Sequence, residues 1–218
     1  MNYANLLDGT SAAIVVGGTL LATVLRCGLR DCIMTLGSLA TALRPGFDVN
    51  KARAELALQI QDIRTDGLLR AEPHQFGDRE FDEMTDALIE QRSLSPIIAK
   101  HEAHKALRTK ASETAAATLF QAAEMGPVFG LVGTLVALSQ MQPDPTGQSM
   151  LSSSIPTAII TTFYGLLIAN VVFAPLARFV QRRASTEEDQ RQQLIDWLSH
   201  ELTRDGVKPR QRPRQAAA

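Results

Sequence analysis

The segment Met125–Pro143, MGPVFGLVGTLVALSQMQP, carries no charged residue over a length that can cross a lipid bilayer. Gly9–Leu25 and Pro145–Ala177 are free of charged residues in the same way. A membrane-crossing α-helix needs about 17 to 25 mostly apolar residues, so each run can supply one crossing. The sequence therefore predicts an all-α, polytopic membrane protein with three transmembrane helices.

The overall composition excludes some classes of function. The 218 residues are 45% hydrophobic and 5% aromatic, with a formal net charge of −1. Neither a basic domain nor basic residues interleaved with aromatics are present, so a nucleic-acid partner is not expected.

The sequence gives no sign of an enzyme or of a cofactor site. It contains no glycine-rich phosphate loop, nucleophile elbow or paired-carboxylate motif. His101 and His104 are three residues apart and could share a helix face, but the neighbouring Lys100 and Lys105 disfavour a metal cation there. We therefore expect neither catalysis nor a bound metal.

Charge at the ends of the runs predicts the orientation. Basic residues follow the first and third runs: Arg26, Arg30 and Arg44, then Arg178, Arg182 and Arg183. By the positive-inside rule these ends are cytoplasmic, so the N-terminus lies outside and the C-terminus in the cytoplasm. The first run has no basic residue before it, which favours a membrane anchor over a cleaved signal peptide.

Between the first and second runs the chain is charged and mostly amphipathic, which predicts a cytoplasmic helical domain. Arg44–Gly46 and Glu72–Asp78 break it into short helices. Apolar residues at helical spacing define its expected buried faces: Leu56, Ile60, Ile63 and Leu68, then Phe81, Met84, Leu88, Ile97 and Ile98.

The sequence divides into four parts. We expect a membrane helix with a cytoplasmic extension over residues 1–44, the cytoplasmic helical domain over 45–120, a channel-type helical hairpin over 121–183, and a cytoplasmic C-terminal helix and disordered tail over 184–218. One long helix should run from Pro96 into the second crossing, because Ala-rich sequence without Gly or Pro continues to Met125. A charged helix is expected over Ser185–Leu202, and an outside turn over Met141–Gly147.

Hydroxyl groups are the main polar groups inside the crossings. Thr134, Thr161 and Thr162 lie at mid-depth, where they could line a polar path or simply bond to a backbone carbonyl or a neighbouring helix. No Asp, Glu, His or Lys lies well inside a run, so a proton carrier would have to come from another chain. Glu124, at the cytoplasmic entrance of the second crossing, is either an interfacial side chain or a proton exit group.

Glycines and prolines mark the helices of the hairpin. Four glycines are candidates for close helix packing: Gly126, Gly130, Gly133 and Gly165. Pro127 and Pro175 each remove a helical hydrogen bond near the cytoplasmic ends of their spans. These prolines are either architectural kinks or hinges.

Three segments resemble the MotA/TolQ/ExbB proton-channel superfamily. Gly126–Val136, GPVFGLVGTLV, resembles the superfamily signature. Thr161–Asn170, TTFYGLLIAN, followed by Phe173–Ala177, FAPLA, resembles the last span of the MotA branch. Asp8–Thr19, DGTSAAIVVGGT, resembles the second membrane helix of that branch. The resemblance extends from about Leu7 to Arg183.

The resemblance implies a partner, a location and a set of roles. In this superfamily five A subunits surround two helices of a MotB-like B subunit in the bacterial inner membrane, in contact with lipid, and the membrane Asp of the B subunit carries the proton. Thr134 and Thr162 would then face the ion path, while Pro127 and Pro175 would couple proton passage to subunit movement. The implied function is an A-type stator subunit that converts ion flow into torque on the flagellar rotor. The alternative is a TolQ/ExbB-like subunit that energises an envelope-spanning partner.

The segment Ile63–Glu72 resembles the MotA segment that touches the rotor protein FliG, with Arg64 and Glu72 at its charged positions. Thr65 and Pro73 stand where the family often has a second basic and a second acidic residue. Stator A subunits also have four spans. Either the start codon lies further upstream, or this is a shortened variant whose three spans mimic the TolQ/ExbB topology.

Overall fold

The computed structural model describes residues 9–44, 46–66, 78–91, 95–139 and 151–204, and the regular elements in these ranges are all helices. The seven α-helices are α1 (Gly9–Cys27), α2 (Leu29–Ala42), α3 (Val49–Asp66), α4 (Arg79–Gln91), α5 (Ser95–Ser139), α6 (Leu151–Leu167) and α7 (Ala174–Arg204). A π-helical turn, Ile168–Phe173, joins α6 to α7 without a break.

Three of the described helices are long and apolar enough to cross a membrane: Gly9–Cys27, Ser95–Ser139 and the continuous helix Ile155–Arg204. The predicted all-α fold with three spans is thus confirmed. The predicted turn at Met141–Gly147 and the predicted disordered tail lie outside the described residues.

The two long helices extend beyond their apolar segments. α5 has 45 residues and runs from charged sequence into the second span, as predicted. α7 likewise continues from the third span to Arg204, so the predicted helical segment Ser185–Leu202 is confirmed and only its predicted start at Ser185 is wrong. The reason is visible in the sequence, because neither glycine nor proline interrupts the chain from Leu176 to Arg204.

Three residues explain where helices begin. Gly28 has a φ of 87°, a left-handed conformation that glycine adopts without steric cost, and it separates α1 from α2. Asp48 accepts hydrogen bonds from the Asn50 and Lys51 amides at 3.0 and 3.1 Å and so caps α3. Asp78 caps α4 by accepting from the Glu80 amide at 3.0 Å.

The chain divides into two compact units. The first unit comprises Met1–Arg44 and Ala111–Arg183, and the second comprises Pro45–Lys110 and Ala184–Ala218. α5 and α7 each contribute residues to both units. The four-part division predicted from the sequence stays a prediction.

Each unit has its own apolar core. In the first unit, Ala115, Leu119, Ala177 and Val180 are buried, with side chains of α2 packed against them. The core of the second unit draws on α3, α4, α5 and α7: Ala52, Leu56, Ile60, Phe81, Met84, Leu88, Ile97, Leu194, Ile195, Leu198 and Leu202.

The core of the second unit contains most of the predicted apolar faces. Leu56 and Ile60 of α3 and three residues of α4 are buried as predicted. Ile98 is an exception because it is 45% exposed, and the prediction that it shares the buried face with Ile97 is wrong. Ile97 and Ile98 are about 100° apart around the helix, and Ile97 is the one that points into the core. The Ile63 side chain and Leu68 lie outside the described residues.

Candidate functional site

Glycines bring α5 and α6 into backbone contact in the first unit. We call Gly126, Gly130, Gly133 and Gly165 the glycine seam. A Cβ added to Gly126 would lie 2.7 Å from the Gly165 carbonyl oxygen, and one added to Gly165 would lie 2.5 Å from the Gly126 carbonyl oxygen. Real Cβ atoms essentially never approach so closely, so only glycine fits at both positions.

The rest of the seam continues along the same two helices. A Cβ on Gly130 would meet the Thr161 carbonyl oxygen and the Thr162 Cα at 3.2 Å. A Cβ on Gly133 would lie 2.7 Å from the Thr161 Cβ. Because these glycines have no side chains, the signature segment on α5 can pack directly against the threonine pair on α6.

Beside the seam, α5 and α6 form an open groove of about 480 Å³, which we call the threonine groove. Its lining residues are Thr134, Leu138, Ile155, Ala158, Ile159, Thr162, Phe163 and Leu166. Thr134 donates to the Leu131 carbonyl at 2.6 Å, and Thr162 donates to the Ala158 carbonyl at 3.3 Å. The structure thus places two of the three predicted pathway threonines in one otherwise apolar groove.

Thr161 occupies a different position. Its side chain is buried against Gly133, and its hydroxyl donates to the Ala158 carbonyl at 2.9 Å. It is not among the residues that line the threonine groove. Its predicted role as a pathway residue stays a prediction, and its direct contact in this chain is with the glycine seam.

The two predicted coupling prolines lie within continuous helices. Pro127 is inside α5, directly after the first glycine of the seam. Pro175 is the second residue of α7, which begins directly after the π-helical turn. Because Pro175 has no N–H, it cannot donate to the Val171 carbonyl one turn earlier, and the wide turn occurs at that point. Glu124, the candidate proton exit group, is exposed on α5.

The π-helical turn was not predicted from the sequence. The Ala174 amide donates to the Ala169 carbonyl, five residues back, and the Asn170 side-chain amide donates to the Leu166 carbonyl at 2.9 Å. Pro175 was predicted to be either an architectural kink or a hinge, and the unsatisfied carbonyl before a helical proline is the kind of signal that also favours a π-helical turn.

A buried charged cluster in the second unit was also missed. It comprises Asp78, Glu80, His101, Arg108, Glu187, Glu188 and Arg191. Glu80 lies at its centre with a side chain only 3% exposed. Its carboxylate is 2.7 Å from His101 Nδ1 and accepts hydrogen bonds from Arg191 at 2.8 Å and from Arg108.

Four carboxylates, two guanidinium groups and one imidazole meet in this cluster. Arg191 donates to Asp78 at 2.8 Å and to Glu187 at 3.1 Å, and its guanidinium lies 4.2 Å from the centre of the Phe47 ring. Burial raises the pKa of the Asp78 carboxyl, but the hydrogen bond and charge of Arg191, together with backbone hydrogen bonds from Glu80 and Phe81, hold that pKa below its ordinary value. The cluster therefore joins α4, α5 and α7 and belongs to the scaffold of the unit.

The two predicted histidines each face a glutamate. His104 Nε2 lies 3.1 Å from Glu83 Oε2, and His101 faces Glu80. Among the described residues there is no group of three or more metal-ligating side chains. Arg64 belongs to the last turn of α3, but its side chain and Glu72 lie outside the described part of the chain.

Known proteins are similar to the part of this chain that contains the threonine groove. The sequence profile described as the MotA/TolQ/ExbB proton channel family matches residues 76–193. Motility protein A of Cereibacter sphaeroides is 26% identical over 200 residues, which cover 89% of this chain and 78% of that protein. Chemotaxis protein PomA of Vibrio alginolyticus is 25% identical over 206 residues, which cover 94% of this chain and 80% of that protein.

The fold also matches a solved structure. A chain of the flagellar MotAB stator complex from Bacillus subtilis superposes with a TM-score of 0.79 and 19% sequence identity, covering 92% of this chain and 81% of that chain. At this identity the match shows a shared fold.

Proposed function

We infer the function from the fact that this chain belongs to the MotA/TolQ/ExbB proton channel family, whose profile matches residues 76–193. It is an A-type stator subunit of a flagellar motor, a multi-pass inner membrane protein. Together with a B subunit it converts ion flow across the membrane into torque on the rotor. The similarity to proteins named Motility protein A and PomA, over most of their length, supports this proposal.

One observation carries the proposal: Thr134 and Thr162, from two different crossings, line one groove. Hydroxyl groups can exchange hydrogen bonds with water or with a partner side chain inside a membrane, where other polar groups are costly. The glycine seam fixes the separation of the two helices, and so it fixes the distance between the two hydroxyls. A helix of the partner subunit lies against this groove.

The partner supplies the group that carries the proton. Met125–Ser139 and Ile155–Ala177 contain no ionisable side chain other than Tyr164. A transported proton needs an acid that gains and releases it near neutral pH. The proposal therefore requires an Asp from a MotB-like B subunit, with several copies of this chain, five by family resemblance, around it.

The remaining roles follow from the same proposal. Ion passage moves the subunits through Pro127 and Pro175, and Glu124 releases the proton on the cytoplasmic side. Arg64 and Glu72 contact the rotor protein FliG. The N-terminus lies outside and the C-terminus in the cytoplasm, as the basic residues after the first and third spans indicate. This is energy conversion without covalent catalysis.

Complementation tests the function. A strain deleted for this gene should lose swimming, and the wild-type chain expressed from a plasmid should restore it. The TolQ/ExbB-like alternative predicts a different defect, because such a subunit acts on the envelope. A deletion strain that swims normally but loses envelope integrity or uptake would overturn the stator assignment.

Replacing Thr162 with valine should slow ion passage and swimming. Valine keeps the shape of the side chain and removes the hydroxyl, and one lost hydrogen bond of about 1 to 1.4 kcal/mol corresponds to about fivefold to tenfold slower passage. Proton flux into vesicles and swimming speed both measure the effect, at matched membrane levels of the protein.

The matched control is Thr118→Val on α5. Thr118 donates to the Thr114 carbonyl at 2.9 Å in the same manner but does not line the threonine groove. Equal flux in wild type and in Thr162→Val would contradict the assignment of Thr162 to the ion path.

A further inference from the structure

His101 lies in the charged cluster of the second unit with both of its ring nitrogens against oxygen atoms. Its side chain is only 1% exposed. Nδ1 lies 2.7 Å from Glu80 Oε1 of α4, and Nε2 lies 3.2 Å from Gln192 Oε1 of α7. Each of these hydrogen bonds needs one hydrogen between its two heavy atoms. The protonation state of His101 therefore depends on whether either neighbour can donate.

Gln192 presents its carbonyl oxygen to His101, and not its amino group. That oxygen accepts a hydrogen bond from Lys105 Nζ at 3.0 Å, and the Gln192 amide nitrogen donates to Asp196 Oδ1 at 3.0 Å. Exchanging the two amide atoms would place the NH2 group against the ammonium and the oxygen against the carboxylate. Both contacts would then be repulsive, so Gln192 acts as an acceptor towards His101.

Glu80 is an acceptor as well. Arg191 Nη1 donates to its Oε2 at 2.8 Å, and Arg108 donates to both of its oxygens. Two guanidinium groups on one carboxylate favour the ionised form, which has no hydrogen to donate. Both ring nitrogens of His101 must therefore be N–H donors. A neutral imidazole has only one N–H group, so this arrangement requires the imidazolium.

The charges around His101 favour the same form. Glu188 Oε1 is buried 3.7 Å from His101 Nε2 and has no hydrogen-bond partner among the described residues. An imidazolium places positive charge beside this oxygen, whereas a neutral ring would leave it uncompensated. The other ionisable groups in and beside the cluster come from all three helices: Asp78, Glu80 and Glu83 in or next to α4, Lys100, His104, Lys105 and Arg108 on α5, and Glu187, Arg191 and Asp196 on α7. Carboxylates outnumber the lysines and arginines in this set, so a further positive charge is favourable.

We propose that His101 is a buried imidazolium that holds α4 and α7 against α5 and makes the packing of the second unit sensitive to pH. When the ring releases its proton to solvent, one ring nitrogen presents a lone pair to an oxygen, and Glu188 loses the positive charge beside it. The contribution of His101 to stability is therefore present at low pH and lost as pH rises. In the proposed orientation, the second unit responds in this way to the pH of the cytoplasm.

Nitrogen NMR of the full chain tests the protonation state. The protein is labelled with nitrogen-15 histidine, reconstituted into lipid vesicles and measured by solid-state NMR from about pH 6 to about pH 9, a range that covers histidine titration in proteins. An imidazolium gives two ring nitrogens of similar chemical shift, whereas a neutral ring gives two widely separated shifts. His101 should show the charged pattern at about pH 7.

The assignment leaves His101 itself unchanged. The chain has four histidines, and replacing His74, His104 and His200 by glutamine one at a time identifies the other signals. His200 is 72% exposed, so its signal shows how a ring in contact with water behaves in the same sample.

Unfolding measures the effect on stability. Glutamine is neutral at every pH, so His101→Gln removes the charge and the titration together. Trp197 packs against the core of the second unit, and its fluorescence during denaturation in detergent gives the unfolding midpoint. The wild-type midpoint should fall across the same pH range. The midpoint of His101→Gln should be lower at about pH 6 and should change less with pH. The control His200→Gln should keep the wild-type pH dependence.

Two results would overturn the proposal. A neutral pattern for the His101 ring at about pH 6 in the folded wild-type protein would show that the imidazolium is absent. Equal pH dependence of the unfolding midpoint in wild type and in His101→Gln would show that another group causes it. Both measurements use purified protein, so their outcome is independent of whether the chain supports swimming.

Discussion

Replacing Arg191 with methionine is expected to destabilise the second unit by about 3 to 5 kcal/mol, the cost of breaking a buried ion pair by removing one partner. Methionine keeps much of the apolar stem but leaves the Glu80 and Asp78 carboxylates without the guanidinium that lies 2.8 Å from each. Glu80 cannot regain water where it is, because its side chain is only 3% exposed. The contact between the guanidinium and the Phe47 ring is lost as well.

The chain's single tryptophan reports on this unit. Trp197 packs against the core of the second unit, so its fluorescence during denaturation of the full chain in detergent follows unfolding there. The control is Arg204→Met, since the Arg204 side chain is 66% exposed and its Nη1 lies 3.6 Å from Glu201 Oε1. An exposed pair of this kind contributes about 0 to 1 kcal/mol. Similar unfolding midpoints for the two variants would show that the charged cluster does not stabilise the unit.

Replacing Gly165 with alanine should destabilise the packing of α5 against α6 by about 1 to 3 kcal/mol, the usual range for overpacking. The new Cβ would lie 2.5 Å from the Gly126 carbonyl oxygen and 3.0 Å from the Gly130 Cα. Both neighbours belong to backbone, so neither can rotate away, and the helices must separate. The same separation would widen the threonine groove and reduce ion flux.

Whether a glycine-to-alanine change lowers or raises stability shows whether close packing or helix propensity dominates at that position. Gly37→Ala in α2 is the matched control, because within the described part of the chain nothing lies within 4 Å of its added Cβ. There alanine should raise stability by up to about 1 kcal/mol through its better helix propensity. Thermal unfolding of the two variants in detergent, followed by circular dichroism, should shift in opposite directions. A Gly165→Ala protein as stable as wild type would mean that the glycine seam is not tightly packed.

Much of the membrane part could be predicted from the sequence, because its signals are local. The charge-free runs define the spans, and the spacing of Gly126 and Gly130 on one helix face indicates close packing. Thr134 and Thr162 were expected to share a path, and both line the same groove. That they conduct ions stays a prediction.

The charged cluster could not be found in this way, because its members are distant in sequence. Glu80 contacts His101, which is 21 residues away in the sequence, and Arg191, which is 111 residues away. Local patterns assign each of these residues to a solvated helix face, and only the packing of α4, α5 and α7 brings them together. Ile98 shows a related limit, since periodicity cannot tell which of two adjacent apolar residues faces the core.

The π-helical turn keeps one face of the third span directed towards α5 along its length. Gly165 and Ala169 lie against Gly126, while Phe173 and Ala177 belong to the core of the first unit, so contacts recur every four residues. Four residues of an ordinary α-helix overshoot a full rotation by about 40°, and three such steps would accumulate about 120° of angular drift. The wider turn absorbs this drift. Deleting one residue within Ile168–Phe173 would leave eleven α-helical steps of about 100° between Gly165 and Ala177, about 20° past three full turns, so the glycine seam and the Ala177 contacts would stay in phase without the wide turn.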